Sequence, residues 1–150
     1  MTPLGLAAQK GSLECVKVLV EAGANINHQP PNGSTPLIQA AHFGHEEICN
    51  FLVEAGAEVD RPNGKGTTAL MRASQEGNFS IVKLLVRMGA SVNSLNSELM
   101  SCLMLSCQRG HNQIVDFFCR KGANIDSQTI QVKWREERSD GWTYCTYIHN

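Results

Sequence analysis

Apolar side chains recur along this chain at helical spacing, but only in short bursts. Ile48, Phe51 and Leu52 stand at i, i+3 and i+4; so do Ile81, Leu84 and Leu85, and again Ile114, Phe117 and Phe118. Each triplet makes one apolar face of a short helix. A shorter burst comes before: Leu37, Ala40 and Ala41 share the same spacing, and the alanines let a neighbouring helix come close. Thr35 is a good N-cap for this first helix, because its hydroxyl can accept from an orphan amide of the first turn. Pro36, at the first helical position, loses no useful hydrogen bond. Gly44 ends the helix, and Glu46 and Glu47 open the next one where the positive end of its dipole favours carboxylates. Gly56 closes that helix. The runs Gln29-Pro30-Pro31-Asn32-Gly33 and Asp60-Arg61-Pro62-Asn63-Gly64-Lys65-Gly66 are turn chemistry. The pattern therefore predicts a unit of two short helices followed by a projecting turn.

That unit repeats without a gap. Thr2-Pro3-Leu4 returns as Thr35-Pro36-Leu37, as Thr68-Ala69-Leu70 and, weakly, as Ser101-Cys102-Leu103, each step being 33 residues. The same shift aligns Gly11, Gly44, Gly77 and Gly110, and then Gly23-Ala24, Gly56-Ala57, Gly89-Ala90 and Gly122-Ala123. Ile26-Asn27, Val59-Asp60, Val92-Asn93 and Ile125-Asp126 fall in line as well.

At these residues the chain resembles the ankyrin-repeat family, whose units run Gly-x-Thr-Pro-Leu-His-x-Ala, then Gly-His, then Gly-Ala-Asp-Val-Asn. The resemblance covers about residues 1–126 and implies an all-α solenoid of four units, about 1–27, 28–60, 61–93 and 94–126, with a divergent tail over 127–150. Two departures stand out. The family's His after Thr-Pro-Leu is replaced by Gly5, Ile38, Met71 and Met104, so the hydrogen bonds that His makes between turns are not expected. The fourth unit has Leu99 where Gly33 and Gly66 stood, and Met100-Ser101-Cys102 where a cap and a proline belong.

A repeat cannot bury its apolar face alone, so the ends of the array need covering. The chain starts at the first helix of its first unit, which makes Cys15, Val18 and Leu19 the least protected core and suggests a fragment or isoform of a longer array. The tail carries both tryptophans and both tyrosines. Thr129–Trp134 and part of Trp142–Ile148 alternate apolar and polar residues around Ser139-Asp140-Gly141, so the tail reads either as an irregular end or as a capping hairpin. In the second case Trp134 or Trp142 covers Phe117 and Phe118.

Composition narrows the chemistry. With 13 Lys and Arg against 14 Asp and Glu, the net charge of −1 gives no reason to expect nucleic acid or an anionic membrane. No apolar run approaches the roughly 20 residues needed to span a bilayer. The N-terminus lacks a signal peptide's features, so cytoplasm or nucleus follows by default. Six cysteines show no secreted-type spacing and read as reduced, small apolar residues. Cys and His together form no metal-ligand pair, and Cys102 and Cys107 point away from a common helix face. His45 and His111 follow helix-ending glycines and have structural roles. Gly64-Lys65-Gly66-Thr67-Thr68 lacks a phosphate loop's spacer, and no nucleophile elbow occurs. The expectation is a monomer that is not an enzyme, holds no catalytic, cofactor or metal site, and needs no cofactor.

What remains is a surface. The resemblance implies that turn tips and first helices form a concave face for a protein partner. Its variable positions map onto Pro31, Asn32, Ser34, Gln39, His42 and Phe43 in the second unit, and onto Gly64, Lys65, Thr67, Arg72, Gln75 and Glu76 in the third. The fourth offers Ser97, Glu98, Met100, Gln108 and Arg109. Phe43, an aromatic on an exposed side, and Arg72, at a position held by Leu6 and Leu105, are the residue types that anchor interfaces. The implied function is a protein-interaction module or adaptor. Two alternatives stand beside it: a recruiting part of a larger multidomain protein whose catalytic domain lies elsewhere, and a marginally stable short form with no binding role of its own.

Overall fold

The structure, a computed structural model, describes residues 1–126, 131–135 and 144–148. Eight helices fall into four pairs: α1 (Pro3–Lys10) with α2 (Leu13–Glu21), α3 (Pro36–Phe43) with α4 (Glu46–Glu54), α5 (Ala69–Glu76) with α6 (Phe79–Arg87), and α7 (Cys102–Gln108) with α8 (Asn112–Arg120). The caps are the ones the sequence signals. The hydroxyls of Thr2, Thr35, Thr68 and Ser101 accept from the amides of Gly5, Ile38, Met71 and Met104. Ser101 thus keeps the cap of the fourth unit although the proline after it is lost. Helices of seven to nine residues are too short to persist in water by themselves. Their stability comes from packing.

That packing is strictly between neighbours. Each first helix lies against its own second helix and against the first helix of the next unit, so α1, α3, α5 and α7 stack in sequence order. Leu4, Leu37, Leu70 and Leu103, with the alanines behind them, fill the seam. Ile38, Met71 and Met104, which stand where the family has His, are buried there too and serve as apolar filler. Ser74 and Ser106 replace alanines in this seam, and each returns its hydroxyl proton to a carbonyl one turn back in its own helix.

Three polar stitches recur at the interfaces. At the base of the turns, Asn27 accepts from the Glu58 amide, Asp60 from that of Ser91 and Asn93 from that of Asn124, all at 2.8–2.9 Å. At the tips, Gln29 Nε2 donates to the Pro62 carbonyl at 2.7 Å and the Ser97 amide to that of Lys65 at 2.9 Å. Between helices, His45 Nε2 donates to the Gln9 carbonyl at 3.0 Å, Asn78 Nδ2 to Ala41 at 2.9 Å and His111 Nε2 to Gln75 at 2.9 Å. The glycine that ends each preceding helix is what lets these side chains lie so close. At Gly77, with φ +81°, an added Cβ would sit 2.7 Å from the His111 ring.

The two ends differ from the middle. In the first unit Cys15 is exposed, Val18 is 62% exposed and Leu19 is half-buried, whereas Ile48 and Leu52, the counterparts of Cys15 and Leu19, are covered and Phe51, that of Val18, is half-buried. Among the described residues, α1 and α2 pack against each other and against the second unit alone. In the last turn, Leu99 adopts φ +60°, the left-handed conformation that Gly33 and Gly66 hold in the turns before it. Those two glycines face the next turn so closely that a Cβ would meet backbone at 2.4 and 3.2 Å. Leu99 itself is 49% exposed, so much of its side chain stands in solvent while the backbone keeps its left-handed strain.

Past the array, β1 (Gln131–Arg135) and β2 (Tyr144–Ile148) pair antiparallel, with Lys133 opposite Thr146. Strand β2 runs along α7. The expected cover of Phe117 and Phe118 by Trp134 or Trp142 lies outside what is described, since Trp142 is not among the described residues and the Trp134 side chain is not either.

Two stability outcomes follow. Leu85→Ala, at a fully buried side chain, is expected to lower the unfolding free energy in urea by about 2–5 kcal/mol through the cavity left between units. Leu99→Gly is expected to raise it by about 1 kcal/mol by removing the left-handed strain, and an unchanged midpoint would show that the turn carries none.

Candidate functional site

On each first helix, the residues not needed for the seam share one outward face. In α1 these are Leu6, Gln9 and Lys10; in α3, Gln39, His42 and Phe43; in α5, Arg72, Gln75 and Glu76. Each set is at i, i+3 and i+4, and because the first helices stack in order the sets line up as a continuous wall. Among these side chains Leu6 is 45% and Phe43 47% exposed. In α7 the wall changes. Gln108 and Arg109 stay open, but Leu105, the counterpart of Leu6, Gln39 and Arg72, is only 6% exposed on a helix along which β2 runs.

Neighbouring sets touch. The His42 ring meets Phe43 edge-on, with centroids 4.7 Å apart and planes at 82°, and its Nδ1 lies 3.3 Å from Glu76 Oε1 of the next unit. One turn earlier on α5, the Arg72 guanidinium donates to Gln75 Oε1 at 3.0 Å, a neutral partner, and no carboxylate forms an ion pair with it among the described residues. The Gln75 backbone is in turn held by His111. The floor under Arg72 is therefore fixed by the next unit.

The turn tips extend the wall. Pro31, Asn32, Gly64, Lys65, Ser97 and Glu98 are exposed there, and Ser34 is half-buried. Two tip residues expected on the face are not on it: Thr67 is 5% and Met100 6% exposed. The cause is the turn itself. Asn63 donates from its amide to the Thr67 carbonyl and accepts the Thr67 amide on its side chain, and Asn96 does the same with Met100, folding the fifth residue of each turn inward. Conversely, Leu6, Gln9 and Lys10 belong to the wall although the sequence reading began its face at the second unit. The 33-residue shift that aligns them with Gln39, His42 and Phe43 was the signal.

Stacked pairs of short helices with projecting turns, on a strict 33-residue period, find their counterpart among known families: the family described as Ankyrin repeats (3 copies) matches residues 1–63 and again 59–129. The chain belongs to the ankyrin-repeat family. No curated protein matches it. Ankyrin units are generally protein-interaction modules and typically not catalytic, and no enzyme family is matched.

The rest of the ankyrin array offers little that is reactive. Among the described residues, no group of three or more His, Cys, Asp or Glu side chains could hold a metal ion, and no helix is long and apolar enough to cross a membrane. An open groove of about 870 Å³ runs between the second helices, where Glu46 and Glu47 face Lys83 and Arg87 across solvent. The buried thiols are quiet. Burial, reinforced by nearby Glu46, pushes Cys49 up to about 12, and burial pushes Cys102 up to about 12 against the opposing pull of a Ser74 hydrogen bond. Both therefore remain protonated at neutral pH.

This has a measurable consequence. A thiol whose value is raised in the folded chain favours folding in full below its unfolded value, near 9, and the contribution is lost as pH climbs from there toward 12. The urea midpoint should fall over that window, and fall less in the Cys49→Ala/Cys102→Ala variant. In native chain at pH 8, alkylation read by mass spectrometry should reach exposed Cys15 well before either buried thiol.

Proposed function

We propose that this ankyrin array is a protein-binding adaptor that grips its partner along the wall of first helices and the turn tips. The observation that carries this reading is the continuity of the wall. Across α1, α3 and α5 the same outward positions are exposed or half-buried, lie outside the apolar seam, and differ in chemistry from unit to unit. A surface whose scaffold is fixed by its neighbours and whose side chains are free binds with little ordering cost.

Within the wall, Phe43 and Arg72 are the anchors. An aromatic half in water gains by being covered, and an arginine with only a neutral local partner gains from an anion or a carbonyl. On the opposite side, the groove between the second helices is lined by charged residues of both signs, Glu46, Glu47, Lys83 and Arg87, and by no aromatic ring.

Affinity capture on the intact chain, read by mass spectrometry and compared with Phe43→Ala/Arg72→Ala, tests the assignment. The double variant is expected to keep its helical signal and melting temperature and to lose its specific partner. Full retention of the same partner by the double variant would place the grip elsewhere.

A further inference from the structure

The cations of this array are divided by face. Elsewhere in residues 1–126, all but Arg87 have a local partner: Lys17 pairs with Glu14 at 3.1 Å, Arg61 with Glu58 at 2.9 Å and Arg120 with Asp116 at 3.0 Å, while Lys83 and Lys121 lie over the rings of Phe79 and Phe117. On the wall and tips the pattern is reversed. Among the described residues, no carboxylate lies within ion-pair reach of Lys10, Lys65, Arg72 or Arg109. The carboxylates on that side are fewer, Glu76 and Glu98, and Glu76 Oε1 lies 3.3 Å from His42 Nδ1. The wall side thus carries an excess of positive charge, while on the rest of residues 1–126 carboxylates outnumber cations. A net charge near zero for the whole chain hides this division.

We infer that the wall binds an extended, acidic segment of a partner protein, whose carboxylates meet Arg72 and Lys65 and whose apolar side chain covers Phe43. The inference rests on the protein-binding reading above and adds to it the chemistry of the partner. Unpaired cations on one side lower the barrier to a negatively charged segment and raise it for a positive one, which is a matter of selection and encounter rate before it is one of affinity. Four stacked helices at about 8–10 Å spacing present a wall about 30 Å long. An extended peptide of about nine residues spans that distance. Lys10 and Arg109, at opposite ends of the stack, bracket such a segment. A nucleic-acid strand fits less well: a few scattered cations interrupted by Glu76 do not follow a phosphate backbone, and the exposed ring of Phe43 is folded against His42.

The test pans a display library of random peptides on the intact chain and measures the enriched peptides by fluorescence anisotropy. Enriched sequences are expected to be acidic with at least one large apolar residue. Their binding should weaken at least about tenfold in Lys65→Glu/Arg72→Glu, stay unchanged in the control Arg87→Glu, and weaken as salt is raised from about 50 to about 300 mM. Peptides in which lysine replaces the acidic residues should recover binding to the Lys65→Glu/Arg72→Glu variant, an outcome that misfolding could not produce. Neutral or basic peptides that depend on Phe43 but not on Lys65 or Arg72 would overturn the acidic partner and leave the wall as binding face. Binders indifferent to every wall substitution, or none enriched at all, would overturn both. A labelled single-stranded oligonucleotide bound through the same cations as tightly as the peptides would also overturn the inference.

Discussion

Each unit of this array is too small to have an inside. A helix pair of this length buries its apolar face only if an identical face arrives from the next unit, and that single requirement sets the period, the order of the stack and the placement of everything polar. Leu4, Leu37, Leu70 and Leu103 are equivalent in sequence because they are equivalent in the seam. The glycines that close the first helices follow from the same need. Gly11, Gly44 and Gly77 turn the chain in a left-handed conformation and leave out the one carbon that would keep His45, Asn78 and His111 from reaching back to a carbonyl of the preceding unit.

The seam was legible because it is periodic. Caps, stops and core residues recur every 33 positions, and a position that carries the same physical demand four times is hard to misread. The face was legible only in part, for the opposite reason. Gln39, Arg72 and Phe43 could be placed by register, but whether a turn residue points out or folds in depends on a hydrogen bond made four residues away. Thr67 and Met100 looked like tip residues by count, and the carboxamides of Asn63 and Asn96 pull their backbone inward. The second unit has Pro30 at that position, which has no side chain to do this, and there Ser34 remains half open.

Departures from the period carry the rest of the information. Apolar Met71, in place of a polar residue, is fully buried and fills the seam. Leu99 in place of glycine is tolerated in the fourth unit's turn, where its side chain is half in solvent; at Gly33 the same side chain would collide with the backbone of Gly64. Position within the stack, not residue type, decides what a substitution costs. The same holds for the first unit, where Val18 stands in water while Leu84, two units on, is covered.

The division of labour between seam and wall also explains how a chain near electrical neutrality can present a charged face. Seam positions admit only apolar and small residues, so charge is confined to the outward positions, where nothing in the fold dictates its sign. On the second helices and loops most cations have a local partner, a carboxylate three or four residues away or a ring beneath them. On the wall, Gln75 beside Arg72 satisfies a hydrogen bond without cancelling the charge, and Glu76, four positions on, lies against His42 and not within ion-pair distance of Arg72. An i, i+3 carboxylate at position 75 would have served the isolated helix better, by a few tenths of a kcal/mol. Its absence leaves Arg72 available to an anion from outside.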